Sequence, residues 1–489
     1  MPDKEIFVTG ASGYIGSRLV PELLDEGYEV RAVSRSPDKL ERFQWSDRGD
    51  VKLTRADALD PKSLRQACRG CDVAYYLIHS MGQGSGDFEE ADRRAARNMA
   101  ETAEDEGLDR ILYLGGHHPE ADGELSKHRR SRVEVEEALA SGEVPLTTFR
   151  AAMVVGSGSA SFEMMRYSME RLPSFFITNT YADDPTQPIA VSDVMTYLVG
   201  ALEHDETIGE TYDIGGPDVL TNREVMQTYA RVAGLTEPTV VSSSLVPLSM
   251  VAWATARLTP VDPELVYPLV LGARHPSVSG DDRIQDVIPT DLLSLEEAMR
   301  RSFEKTRREV LDREHDESGP PEWPRPGDPD WSGGTHYEDR RSRTVNATPE
   351  ELWEAILEIG NRNALFWGQR FRDLVVWLDG YLNVFKFPET EEPDRPLQTG
   401  DYLDCWKVLE VARPHRIKLR ADVDLPGDPT MEFRLESTGE TTELTQIARF
   451  RPRGLQGRIY WKILSVFHVF SFPLTLRALS QGAEQKQNK

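Results

Sequence analysis

Cysteine is scarce: Cys68, Cys71 and Cys405 are the only three in 489 residues. Three thiols build no disulfide framework, which points to a reducing compartment. Lysine is scarce too, with 12 among the 57 Lys and Arg. Against 82 Asp and Glu this leaves a net charge of −25, a surface that repels phosphates and excludes nucleic acid as a partner. A solvated acidic surface is the favoured reading. The sharper one, which the missing lysines also fit, is a halophilic protein whose self-repulsion is screened by counterions. Long apolar runs are missing as well: none reaches the roughly 18 residues of a membrane span. The opening M-P-D-K-E-I-F-V-T-G has no signal-peptide layout, so a cytoplasmic chain is expected.

What is present is a globular composition, 39% hydrophobic, at a length that suggests two or three domains. Residues 5–16, E-I-F-V-T-G-A-S-G-Y-I-G, carry the clearest signal. A short apolar run (Ile6, Phe7, Val8) suits a buried parallel strand. Gly10, Gly13 and Gly16 follow, and then the helical spacing of Ile15, Leu19 and Leu23. Such glycines permit a tight turn, close approach to a pyrophosphate and close helix–strand packing. Further strands are predicted at 28–33, 51–54, 73–78, 111–114 and 146–149 with helical patterns between them, the alternation of a doubly wound α/β sheet. Strand two ends in A-V-S-R-S, with no acid to hold a ribose hydroxyl. Ser34 and Arg35 suit a 2′-phosphate, favouring NADP over NAD. Asp57, after strand three, is placed to face the adenine.

The T-G-A-S-G-Y-I-G spacing, the R-A-D-A-L-D segment and A-Y-Y-L-I-H-S-M resemble the atypical, extended-type short-chain dehydrogenase/reductase superfamily, above all its NmrA-like and complex-I-accessory-subunit-like branches. The resemblance covers roughly residues 1–310. It implies a Rossmann domain holding a nicotinamide dinucleotide, with cofactor contacts from Thr9, Gly10, Ser12, Gly13, Tyr14, Ile15, Gly16, Ser34, Arg35, Asp57, Ala58, Leu77 and His79. In that superfamily a Tyr–Lys pair on one helix face performs the proton chemistry. Here S-K-H-R-R-S-R puts His128 at the tyrosine place and Arg132 at the lysine place, still one face apart at i, i+4. No other Y-x-x-x-K occurs in this half. His128 and Arg132 are therefore the candidate catalytic residues, and R-R-S-R as an ordinary solvated helix stretch is the competing reading. L-G-G-H-H after strand five lacks the usual serine; His117 and His118 are the candidates to substitute for it, against the blander reading that loop histidines without an evident carboxylate partner are bystanders. Cys68 and Cys71 form C-x-x-C with no second pair, so no metal is expected.

Phe162, Met164, Met165 and Met169 read as core before pocket. Residues 316–334 are rich in Pro, Gly and acid and are expected to be a linker between a 1–315 domain and a 335–485 domain. Beyond it, Thr348, Pro349 and Glu351 form a capping box with proline at N1. Strand-like runs follow, and then the apolar helix G-R-I-Y-W-K-I-L-S-V-F-H-V-F-S-F-P-L. This order resembles the START-like (SRPBCC) helix-grip fold over about residues 335–483, an α+β domain. The resemblance implies an apolar cavity for a small hydrophobic ligand. The final helix reads as a core element; a peripheral membrane contact is the disfavoured alternative. The expected function is an NADP-dependent oxidoreductase acting on an apolar carbonyl or quinone-type substrate. The alternatives are a non-catalytic NADPH-sensing or assembly protein and a lipid or isoprenoid carrier. The oligomeric state is left open.

Overall fold

The computed structural model describes residues 4–79, 88–117, 127–273, 276–309, 320–361, 395–403, 406–423, 425–439 and 441–487. The chain divides into two compact units, one of Met1–Thr306 with His315–Gly334 and one built on Thr335–Lys489.

The first unit is organised by a seven-stranded parallel sheet. Its strands are β1 (Glu5–Thr9), β2 (Glu29–Ser34), β3 (Val51–Arg55), β4 (Val73–Tyr76), β5 (Arg110–Gly116), β6 (Leu146–Ala151) and β7 (Thr211–Ile214). The spatial order is β7-β6-β5-β4-β1-β2-β3. Chain direction along the sheet reverses at β1, which pairs with both β2 and β4, and a crevice opens there at the strands' carboxyl ends. Alternation along β1 explains its near-continuous hydrophobicity: Ile6 and Val8 join one core, Phe7 the other, as a strand covered on both faces requires. Helices α1 (Gly16–Asp25), α2 (Pro61–Cys68), α3 (Phe88–Glu106) and α4 (Lys127–Leu139) connect the strands. Phe162, Met164 and Met169 are buried in two further apolar clusters, so they are core.

The stretch expected to be a linker is, over residues 320–334, part of the first unit. The cause is Arg18, which the sequence reading passed over. Its guanidinium has no exposed surface. It grips both carboxylate oxygens of Asp328, at 2.9 and 2.8 Å. It also donates to the carbonyls of Pro321 (2.7 Å), Tyr14 (2.9 Å), Ser157 (2.8 Å) and Trp323 (2.9 Å). A second buried carboxylate, Glu163, accepts the N–H groups of Gly158 (3.2 Å) and Gly333 (3.0 Å), and the Tyr167 hydroxyl donates to the Trp331 carbonyl at 2.9 Å. Composition marked this segment as lacking regular structure, and it has none; side-chain charge fixes it in place all the same.

The second unit has a six-stranded antiparallel sheet with Tyr337–Val345 at one edge, then Thr442–Pro452, Gly427–Ser437, Arg416–Ala421, Trp406–Ala412 and Tyr402–Leu403. The capping box forms as expected: Thr348 Oγ1 accepts from Glu351 N–H at 3.3 Å and Glu351 Oε2 from Thr348 N–H at 2.8 Å, opening the helix Pro349–Asn361. The final helix, Gly454–Gln487, is 34 residues long and contains Pro473. Phe472, Leu476, Leu479 and Ala483 pack into the core, whereas Ile459, Ile463, Val466, Val469, Phe470 and Leu474 are each more than half exposed. This corrects the expectation of a core helix: one face packs and the other faces outward. By length and composition alone, 454–485 would suffice to cross a membrane.

A buried guanidinium that loses its carboxylate, or the reverse, costs about 3–5 kcal/mol. Arg18→Met should therefore lower the unfolding free energy of the first unit by that order, read as a lower urea midpoint, and Arg18→Met with Asp328→Leu should recover part of the loss. Equal stability of wild type and single variant in urea titrations would contradict the assignment.

Candidate functional site

A cavity of about 940 Å³ lies at the β1–β4 crevice. Its floor is the glycine turn. Gly10 adopts φ +70°, and a Cβ there would stand 2.7 Å from the Leu77 carbonyl oxygen. At Gly16 a Cβ would meet the Gly10 oxygen at 2.3 Å and the Ala11 Cα at 2.7 Å. The turn closes through Gly13 N–H to Gly10 O at 2.9 Å and leads into α1 through Ser17 N–H to Gly13 O at 2.9 Å. Every residue the sequence offered as a dinucleotide contact, from Thr9 to His79, lines this one cavity, and so does Arg132.

The end above β2 and β3 is cationic. Ser34 Oγ sits 3.4 Å from Ser12 Oγ and accepts the Ser36 N–H at 3.2 Å, fixing the strand-two corner that carries Arg35. Lys39 and Arg55 line the cavity beside it; all three are exposed, and none forms an ion pair among the described residues. The sequence reading missed Lys39 and Arg55, although S-R-S-P-D-K and T-R-A-D hold them within a few residues of positions it did choose. Asp57, also on the wall, caps its own turn by accepting the Leu59 N–H at 3.0 Å, and Asn98 holds Ala58 by donating to its carbonyl at 2.7 Å.

The opposite end is formed where β4, β5, α3 and α4 meet. His79 Nδ1 lies 3.4 Å from Oδ2 of the buried Asp92, to which Ser131 Oγ also donates at 3.4 Å. Burial, and then the nearby Arg132 guanidinium, push the His79 imidazole down to about 4, outweighing Asp92. Arg132 donates to the Tyr113 hydroxyl at 3.5 Å. Of the two candidate catalytic residues, Arg132 thus faces the cavity; His128 belongs to α4, and its side chain lies outside the described residues, as does His118. His117 departs from expectation. Its Nε2 stands 3.4 Å from an Asp213 carboxylate oxygen, with the imidazole nearly buried, because β7 brings to it a carboxylate far away in sequence. Cys68 and Cys71 are buried, and burial pushes both thiols up to about 12, which makes them poor ligands; no metal-ligating cluster occurs among the described residues.

The geometry defines a class: a dinucleotide-binding α/β domain with its ligand crevice at the topological switch point. Residues 10–140 match the family described as NAD(P)H-binding, and residues 331–475 match the one described as Protein of unknown function (DUF2867). The first unit is thus an NAD(P)H-binding Rossmann domain, similar to those of the atypical short-chain dehydrogenase/reductase, NmrA-like kind, and reductases are among the proteins it resembles. The chain is 26% identical over 228 residues to NADH dehydrogenase [ubiquinone] 1 alpha subcomplex subunit 9, mitochondrial, of Arabidopsis thaliana, covering 45% of this chain and 56% of that protein. It is 34% identical over 116 residues to cinnamoyl-CoA reductase 1 of Oryza sativa, 23% of this chain and 34% of that one. The chain thus spans about half or less of the length of these two relatives. It is also 26% identical over 230 residues to (4-alkanoyl-5-oxo-2,5-dihydrofuran-3-yl)methyl phosphate reductase of Streptomyces griseus, 47% of this chain and 74% of that one. Among solved structures, Citrobacter triphenylmethane reductase complexed with NADP(H) shares the fold at TM-score 0.50 and 19% identity, covering 61% of this chain and 99% of its own.

Folding holds His79 neutral: its folded value near 4 lies below the ordinary 6.5. The unfolded chain therefore binds the extra proton between these values, and this contribution to stability is lost as pH falls from about 6.5 to about 4. His468 in the second unit, depressed by burial to about 4, acts in the same direction. His79→Gln should shallow the decline of the denaturant midpoint between pH 7 and pH 5. Parallel curves for variant and wild type would contradict this.

Proposed function

We propose that the chain is an NADPH-dependent reductase of an apolar carbonyl or quinone-type substrate. The observation that supports the cofactor choice is the trio Arg35, Lys39 and Arg55 at the adenosine end of the cavity, together with a second strand that ends in A-V-S-R-S, without an acid at the place that holds a ribose hydroxyl. The glycine cradle fits a pyrophosphate, because a side chain at Gly10 or Gly16 would occupy the space the backbone needs. Bound there, the cofactor would supply hydride. The chain's own residues position it: the α1 N-terminus and the glycine turn hold the phosphates, Asp57 and Ala58 flank the adenine, and Leu77 and His79 border the nicotinamide end. A charge-assisted contact to the 2′-phosphate contributes roughly 1.5–3 kcal/mol. NADPH should thus bind at least tenfold more tightly than NADH, and Arg35→Ala should erase most of that preference. Calorimetry with both dinucleotides measures it; no binding of either sinks the proposal, and equal affinities sink the NADP choice.

The replacement of Tyr and Lys by His128 and Arg132 favours a second reading, an NADPH-sensing protein without turnover. For the second unit we propose a START-like, ligand-holding role. An antiparallel sheet faces one long helix over an apolar interior of Ile417, Leu419, Phe433 and Phe472. Buried in that unit is the Gln446 amide, whose Oε1 has no partner among the described residues. Expressed from residue 335, this unit should fold alone and take up an apolar fluorescent probe. A folded fragment that ignores the probe would count against the role.

A further inference from the structure

We infer that the Arg132 end of the cavity is built to stabilise an oxyanion rather than to donate a proton. It therefore takes flat, conjugated acceptors of the enone or quinone class, whose two-electron reduction leaves an enolate or phenolate. This rests on the dinucleotide reading above. A guanidinium stays charged throughout the protein pH range, so Arg132 offers a fixed, planar positive charge and no transferable proton. Among the described residues it makes no ion pair, its hydrogen bond going to the phenol of Tyr113 at 3.5 Å, while the buried carboxylate at this end, Asp92, is held by His79 and Ser131. The second polar group on this wall, His79, is tied through Nδ1 to Asp92. With burial and Arg132 holding its imidazole at about 4, it is neutral near pH 7 and has no ready proton to give.

A simple ketone accepting hydride becomes a strongly basic alkoxide, and its reduction needs a proton donor in the transition state. A conjugated acceptor does not, because its new charge spreads onto a distant oxygen that a positive group can hold. The remaining wall fits such a molecule. Leu265, Leu269 and Trp331 line the same cavity, and the helix carrying the two leucines, Pro263–Gly272, packs on α4, which carries Arg132. Apolar surface beside the guanidinium keeps water away and strengthens the charge interaction. The step balances: one hydrogen with two electrons passes from the reduced nicotinamide ring to the electrophilic carbon of the acceptor. The acceptor's π pair moves onto oxygen, the nicotinamide is oxidised, and the anion takes its proton from water on release.

The test titrates 4-nitrophenol, read by phenolate absorbance, in the full-length protein with and without saturating NADP⁺; NADPH oxidation is followed in parallel with menadione and with cyclohexanone. The expected result is a bound phenol whose apparent pKa falls by about one to three units. Arg132→Met should abolish the shift and Arg132→Lys should keep part of it. Menadione should be reduced and cyclohexanone left alone. An unshifted titration, a shift that survives Arg132→Met, or cyclohexanone turned over as fast as menadione would each overturn the inference. A shifted phenol in a protein that binds no NADP⁺ would instead sink the dinucleotide reading and leave the anion site standing.

Discussion

The first unit depends on one buried ion pair. A guanidinium removed from water must have its N–H groups answered, and Arg18 meets that demand with two oxygens of Asp328 and four backbone carbonyls. Those partners come from the glycine turn, from the chain beyond β6 and from the 320–334 segment. The desolvation of one charge therefore ties together three stretches that share no hydrogen-bonded sheet. Two consequences reach the site. The Tyr14 carbonyl is held at the start of α1, which fixes the dinucleotide turn from behind. Asp328 is clamped as well, and with it Gly327, Pro329 and Trp331 of the cavity wall.

On the proposed reading, the cavity that results works chiefly by charge. One end presents Arg35, Lys39 and Arg55, the other Arg132, with the glycine turn and its backbone N–H groups between them. A dinucleotide with its phosphates in the middle and an extra phosphate on the adenosine side matches that distribution. In a chain of net charge −25 these cations form no ion pair among the described residues, in contrast to Arg31 with Glu5 and Arg150 with Glu136.

Much of this was legible in the sequence because it rests on local chemistry. The strand–glycine–helix signal located β1, the turn and α1, and the Thr348 box located its helix, since each is fixed by residues within a few positions of one another. Periodicity placed the strands to within a few residues. What could not be read depends on distant partners. Asp213 reaches His117 only after β7 is laid down beside β6. Arg18 left one trace, a charged residue on a helix face otherwise made of Ile15, Leu19 and Leu23, but its partner lies 310 positions away. For the same reason the segment around Asp328 read as a linker: its composition reported the lack of regular structure and was silent on packing. The final helix shows the converse, an apolar run whose composition could not say which face would be covered.

A crystal structure of the full chain grown with NADP⁺ tests the account most directly. It predicts the pyrophosphate on the Gly10–Gly16 turn, the 2′-phosphate among Arg35, Lys39 and Arg55, and the nicotinamide ring between Arg132 and the Leu265–Leu269 wall. A dinucleotide bound in the opposite direction, or an empty crevice at saturating NADP⁺, would contradict it.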